Sequence, residues 1–144
     1  FEDALEYVCA ELARGMILHG EGVTKVVAID VVNARNRDQA RTMAMAIANS
    51  QLVKTAVFGN DPNWGRILSA ACSCGADIEP AKAILKIDGQ TVFHHGEPVE
   101  CKKEIMQGKD VLIRLNVNAG KASERRWTGD LSIVYVKINA EYTT

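Results

Sequence analysis

An excess of either charge is missing from this sequence: 17 basic and 18 acidic residues are interspersed, and the formal net charge is -1. No electrostatic footprint for nucleic acid or an anionic membrane follows. Also missing are any apolar run of membrane-spanning length and the basic-then-apolar layout of a signal peptide, which points to a soluble, cytoplasmic chain. The four cysteines, Cys9, Cys72, Cys74 and Cys101, make no pair of CxxC units and have no histidine at zinc-ligand spacing. They read as reduced thiols rather than a zinc motif. No GxSxG elbow surrounds a serine and no glycine-rich phosphate loop follows a strand, so self-contained catalysis is not visible. No repeat or low-complexity segment appears. A starting methionine is absent too: Phe1 stands there, and the chain reads as a piece of something longer.

What is present suffices for a core, since 47% of the 144 residues are apolar. Leu5, Val8, Cys9, Leu12, Ala13 and Met16 share one helical face, which predicts an amphipathic helix over Glu2 to Leu18 ended by "HGEG". Lys25 to Val32 is β-branched enough for a buried strand. Asn36 with Gln39 resembles a capping box, and Ala40, Met43, Ala44 and Ile47 supply the stripe of the helix behind it. Leu52 to Phe58 suits helix or strand equally. In "FGNDPNWGRIL", Asp61 and Pro62 read as N-cap and first helical residue, with Trp64, Ile67, Leu68, Ala71 and Cys72 as the apolar stripe and Gly75 at a left-handed cap.

Beyond this helix the character changes. Asp88-Gly89 between two short apolar runs is a two-residue hairpin signature. A short helix is expected over Cys101 to Gln107, then a half-buried strand through Val111, Ile113, Leu115 and Val117, and a last strand from about Leu131 to Asn139. Helices lead and strands follow, so the fold class is α+β. The division falls near Asp77 to Pro80, giving a helix-rich portion 1–78 and a β-rich portion 79–144.

Few residues suggest chemistry. His94, His95 and Glu97 read as solvated hairpin positions, because neighbours on a strand face opposite ways. Lys121, Arg125 and Arg126 read as a solvated basic face. Glu21 stands between glycines, where it is either a plain turn residue or a carboxylate placed to meet an ammonium group. Asn63 and Arg66 either serve an anion at a helix start or fix the helix through a carboxylate.

"GEGVTK" at Gly20 to Lys25, "QLVKTAVFGNDPNWGRI" at Gln51 to Ile67 and "YVKINAEYTT" at Tyr135 to Thr144 together resemble the ornithine acetyltransferase, or glutamate N-acetyltransferase, family. The resemblance implies an acyltransferase of arginine biosynthesis in which a precursor cuts itself before a threonine that then carries the acetyl group. It implies transfer from N-acetylornithine to glutamate, no cofactor, and acetyl-CoA as a co-substrate of bifunctional members. It further implies that this chain is the C-terminal part of the β chain, working with an α chain and the remainder of the β chain in an α2β2 heterotetramer. The surroundings of the family's nucleophile are absent here, so no catalytic residue is assigned within the chain. Carried over position by position, the substrate contacts are Glu21, Asn139 and Thr144. The rival reading is a non-catalytic small-molecule-binding or oligomerisation module of the same fold.

Overall fold

The computed structural model describes residues 1–101 and 104–142. Its elements run α1 (Glu2–Leu18), β1 (Val26–Ala34), α2 (Arg37–Asn49), α3 (Gln51–Phe58), α4 (Trp64–Cys72), β2 (Ile84–Ile87), β3 (Gln90–His94), β4 (Glu97–Pro98), β5 (Asp110–Asn116), β6 (Ala122–Gly129) and α5 (Ile133–Glu141). The six strands form one sheet in the order β4-β3-β2-β5-β1-β6. Among the described residues only β1 and β5 pair in parallel, with Ile29 opposite Ile113. Helices lead and most strands follow, as an α+β fold requires.

The core lies between the sheet and α2 to α4. Val27, Ile29 and Val31 of β1 meet Met43, Ala44 and Ile47 of α2, joined by Ile113 and Leu115 of β5, and all are buried. Alternation in β5 puts Val111, Ile113 and Leu115 inward while Asp110 and Arg114 stay exposed, the period-2 signal of a strand with one wet face. Asn36 caps α2 through its side chain, which accepts from the amide of Gln39, and Gln39 reaches back to the amide of Arg35. The hairpin turns at Asp88 and Gly89, with φ of 47° and 80°. Positive φ at both positions is what that turn demands. The Asp88 carboxylate also accepts from the amides of Met106 and Leu112.

Four expectations are corrected. Leu131 to Asn139 is not a strand: its apolar residues lie in α5, because the side chain of Ser132 accepts from the amide of Tyr135 and caps a helix there. This cap outweighs the strand preference of the β-branched residues once Asp130, bound to the Thr24 and Lys25 amides, has set where Ser132 stands. Secondly, α4 begins at Trp64, and its cap is Asn63, which accepts from the amide of Arg66 at 3.1 Å; Asp61 instead accepts from the Asn63 amide group. Cys72 also leaves the expected stripe and is exposed.

Thirdly, within 101–107 the described residues 104–106 form a turn, with Lys102 and Lys103 outside the described residues. Met106 adopts φ of 64° and is held by Asp88 and Lys25 instead of by helical bonds. Finally, α1 is a helix, yet its apolar stripe is not buried against this chain: Leu5, Val8, Leu12 and Met16 are exposed. Ala10, Arg14, Gly15 and Ile17 are its partly covered residues, and Arg14 reaches Asp110 at 2.5 Å.

The corrected cap can be tested by melting. Asn63→Ala is expected to cost about 1 kcal/mol, whereas Asp61→Ala, which touches no helical amide, should lower the melting temperature less.

Candidate functional site

The turn Gly20–Gly22 leaves α1 and delivers the chain to β1. Its conformation depends on Gly22, at φ +76°, where a Cβ would stand 2.5 Å from the backbone nitrogen of Tyr135. Glu21 is exposed on this turn. Behind it, Asp130 draws the chain in: Oδ1 accepts from the amides of Thr24 (2.8 Å) and Lys25 (3.0 Å), and Oδ2 accepts from the Thr24 hydroxyl at 2.5 Å. Ser132 Oγ donates to the carbonyl of Gly22.

Lys25 anchors the other side. Its ammonium donates to the carbonyls of Val57 (3.0 Å) and Met106 (2.6 Å) and to the side chain of Asn60. Burial pulls the Lys25 pKa below its ordinary value, and the charges of Asp130 and Asp88 oppose that pull. Three acceptors match the three protons of an ammonium, so the group is fully used as a clamp.

Asn139 lies on α5, exposed, its side-chain amide donating to the carbonyl of Tyr135 at 2.8 Å. Tyr135 is the residue that Gly22 abuts, so the structure brings the segments carrying Glu21 and Asn139 together. Thr144 lies outside the described residues. A cleft of about 420 Å³ opens beside the turn, lined by Ile17, Gly20, Val23, Lys54, Gly129 and Tyr135 among others. A site of this size and mixed lining can take a small amino acid.

Sequence reasoning passed over Thr24, Lys25, Asp130 and Ser132. A charged Lys25 at the head of an apolar strand, and an Asp-x-Ser between a strand and an apolar run, were the available signals.

The "FGNDPNWGR" stretch turns out to be architectural. Asn60, at φ 54°, receives Lys25; Asn63 caps α4; Trp64 stacks on Phe93 of the hairpin with centroids 5.2 Å apart. Arg66 donates to the carbonyl of Leu52 at 3.2 Å. Among the described residues it meets no carboxylate, so it ties α4 to α3 through a main-chain group.

The basic face is exposed at Lys121 and Arg125, as expected, and Arg125 is also paired. Arg125 and Arg114 converge on the buried Asp30 of β1, at 2.5 Å and 2.9 Å, in a cleft of about 780 Å³ between α1 and the sheet. Burial pushes the Asp30 carboxyl up, but hydrogen bonds and charges from Arg125 and Arg114 outweigh it and hold it below the usual carboxylate value. A depressed folded-state pKa contributes stability that is present above the unfolded value and is lost as pH falls through the folded one. Asp30→Asn is therefore expected to destabilise at neutral pH, and the gap to wild type in a denaturant series should begin to narrow below about pH 4, the unfolded value, and close only as pH falls through the depressed folded value.

His94 and His95 do not diverge: His95 takes φ 54° and the two ring centroids come within 3.6 Å. Among the described residues no group of three His, Cys, Asp or Glu side chains could hold a metal ion. Nor is any described helix long and apolar enough to cross a membrane.

Comparison with known proteins gives one direction. The sequence pattern of the ArgJ family matches residues 1–144. The chain is 43% identical over 156 residues to a glutamate N-acetyltransferase of Methanothermobacter thermautotrophicus, covering 100% of this chain and 39% of that protein. It is 43% identical over 148 residues to an arginine biosynthesis bifunctional protein ArgJ of Streptococcus thermophilus, covering 100% and 37%. The chain thus spans about two fifths of the length of these relatives. A crystal structure of the arginine biosynthesis bifunctional protein argJ from Bacillus halodurans superposes with a TM-score of 0.91 at 32% identity, over 97% of this chain and 68% of that one.

Proposed function

The chain belongs to the ArgJ family, and from that premise we propose that it supplies substrate recognition to an acyltransferase of arginine biosynthesis moving acetyl from N-acetylornithine to glutamate. The observation that carries the reading is the 43% identity, over the whole chain, to a glutamate N-acetyltransferase. In the proposed reaction a threonine hydroxyl outside these 144 residues attacks the acetyl carbonyl, the amide C–N bond breaks and ornithine leaves. Glutamate's amine then attacks the resulting ester and carries the acetyl group away as N-acetylglutamate, regenerating the hydroxyl.

Within this scheme Glu21 meets substrate ammonium groups, while Asn139 and Thr144 offer neutral hydrogen bonds. The exposure of Glu21 on a turn held from behind supports its part, since its carboxylate has no partner among the described residues. No cofactor is needed, and acetyl-CoA serves as an alternative acetyl donor. The exposed Leu5, Val8, Leu12 and Met16 of α1, with Ile133, Val134 and Val136 of α5, favour burial of both helices against an α chain and further β-chain segments in an α2β2 assembly.

The test is made on the full-length protein. Incubation with N-acetylornithine and glutamate should yield N-acetylglutamate and ornithine in equal amounts, and a parallel reaction with acetyl-CoA reports the second donor. Absence of N-acetylglutamate from both reactions would sink the proposal.

A further inference from the structure

We propose that Asp130 and Ser132 are positioning residues that lock the Glu21 turn and α5 into one rigid unit, so that a substrate meets Glu21 and Asn139 at a fixed separation. This rests on the reading of Glu21 and Asn139 as substrate contacts. None of the described residues Ile133–Glu141 is buried, so side-chain packing within this chain does not orient the helix. Its orientation comes from its first turn and the segment before it.

That segment is built for the purpose. Asp130 and Ser132 are 3% and 1% exposed, and their polar atoms are directed at the turn more than 100 residues away in sequence. The Asp130 carboxylate takes three donors from Thr24 and Lys25, and its own amide returns a bond to the Lys25 carbonyl at 3.2 Å. Ser132 uses its hydroxyl twice, donating to Gly22 and accepting from Tyr135. The same oxygen therefore closes the Glu21 turn and starts the helix that carries Asn139. The close approach of Gly22 to Tyr135 leaves no slack between them.

Losing this hydroxyl lets the two substrate-facing segments move independently. A site whose groups must converge is sensitive to such loosening even when each group is intact. Thr24 and Lys25 would still hold Asp130, so the sheet would stay closed while the helix lost its register on the turn.

The experiment uses four variants of the full-length enzyme, with kinetics and amide hydrogen exchange measured on each. Ser132→Ala should lower kcat/KM at least about fivefold, mostly through KM, since two hydrogen bonds are lost. It should also raise exchange in 20–23 and 133–139 together, while the Thr24 and Lys25 amides, held by Asp130, stay protected. Ser132→Thr keeps the hydroxyl and should restore both readouts. Asn36→Ala removes a cap of the same kind from α2, away from the turn, and should match Ser132→Ala in melting temperature while keeping wild-type kinetics.

Glu21→Gln separates the two ideas. If it is impaired while Ser132→Ala behaves like Asn36→Ala, or if the turn stays protected while α5 loosens, the lock is wrong and the substrate reading stands. Wild-type kinetics for Glu21→Gln would overturn the substrate reading and the lock with it.

Discussion

Glu21→Gln in the full-length enzyme is expected to lower kcat/KM at least about thirtyfold while leaving the melting temperature near that of wild type. The stability half follows from the structure: the Glu21 side chain is exposed and holds nothing among the described residues, and the turn is kept by Gly22, Thr24 and their bonds to Asp130 and Ser132. The kinetic half follows from the proposed role. An amide cannot replace a carboxylate facing an ammonium, and removing one partner of a desolvated charge pair costs roughly 2 to 5 kcal/mol. The lower figure corresponds to about thirtyfold. Steady-state rates with N-acetylornithine and with glutamate, measured separately, report which substrate loses its partner. Unchanged rates with both would return Glu21 to the role of a turn residue.

Lys25→Met should have the largest effect on stability, about 3 to 5 kcal/mol. Methionine is close to the lysine stem in length and is unbranched, so the loss is mostly polar. The carbonyls of Val57 and Met106 and the side chain of Asn60 lose their common donor, and each buried acceptor left unsatisfied costs roughly 1 to 3 kcal/mol. The clamp joins the start of β1, the end of α3 and the 104–106 turn, three places with no other shared bond among the described residues. Denaturant unfolding of the variant should show a lower midpoint. A loss of unfolding free energy below about 1 kcal/mol would mean that water replaces the ammonium without loss. Lys25→Arg is not a conservative control, because a planar fork cannot place protons on three acceptors arranged around an ammonium.

The elements that sequence determined are those decided within a few residues of themselves. Asn36 and Gln39 stand three apart and cap α2 as that spacing requires; Asp88-Gly89 turns the hairpin because two adjacent residues must take positive φ; β5 alternates because each of its residues chooses a face. The Glu21 turn was legible for the same reason, as glycines flanking a carboxylate. Tertiary structure alone decided the rest. Whether Asp61 or Asn63 caps α4 depended on where the chain leaves α3, whose end is held by Lys25. The apolar run after Ser132 could serve strand or helix, and the outcome came from the Asp130 carboxylate taking the Thr24 and Lys25 amides, which carries the chain out of the sheet and leaves Ser132 free to cap a helix. The stripe on α1 announced a buried face, yet this chain leaves it exposed, because periodicity records that a face is apolar and not what covers it. Local rules act through the backbone within one helical turn; the bonds that join Gly22 to Ser132 and Thr24 to Asp130 span more than 100 residues and exist only once the sheet has brought those segments together.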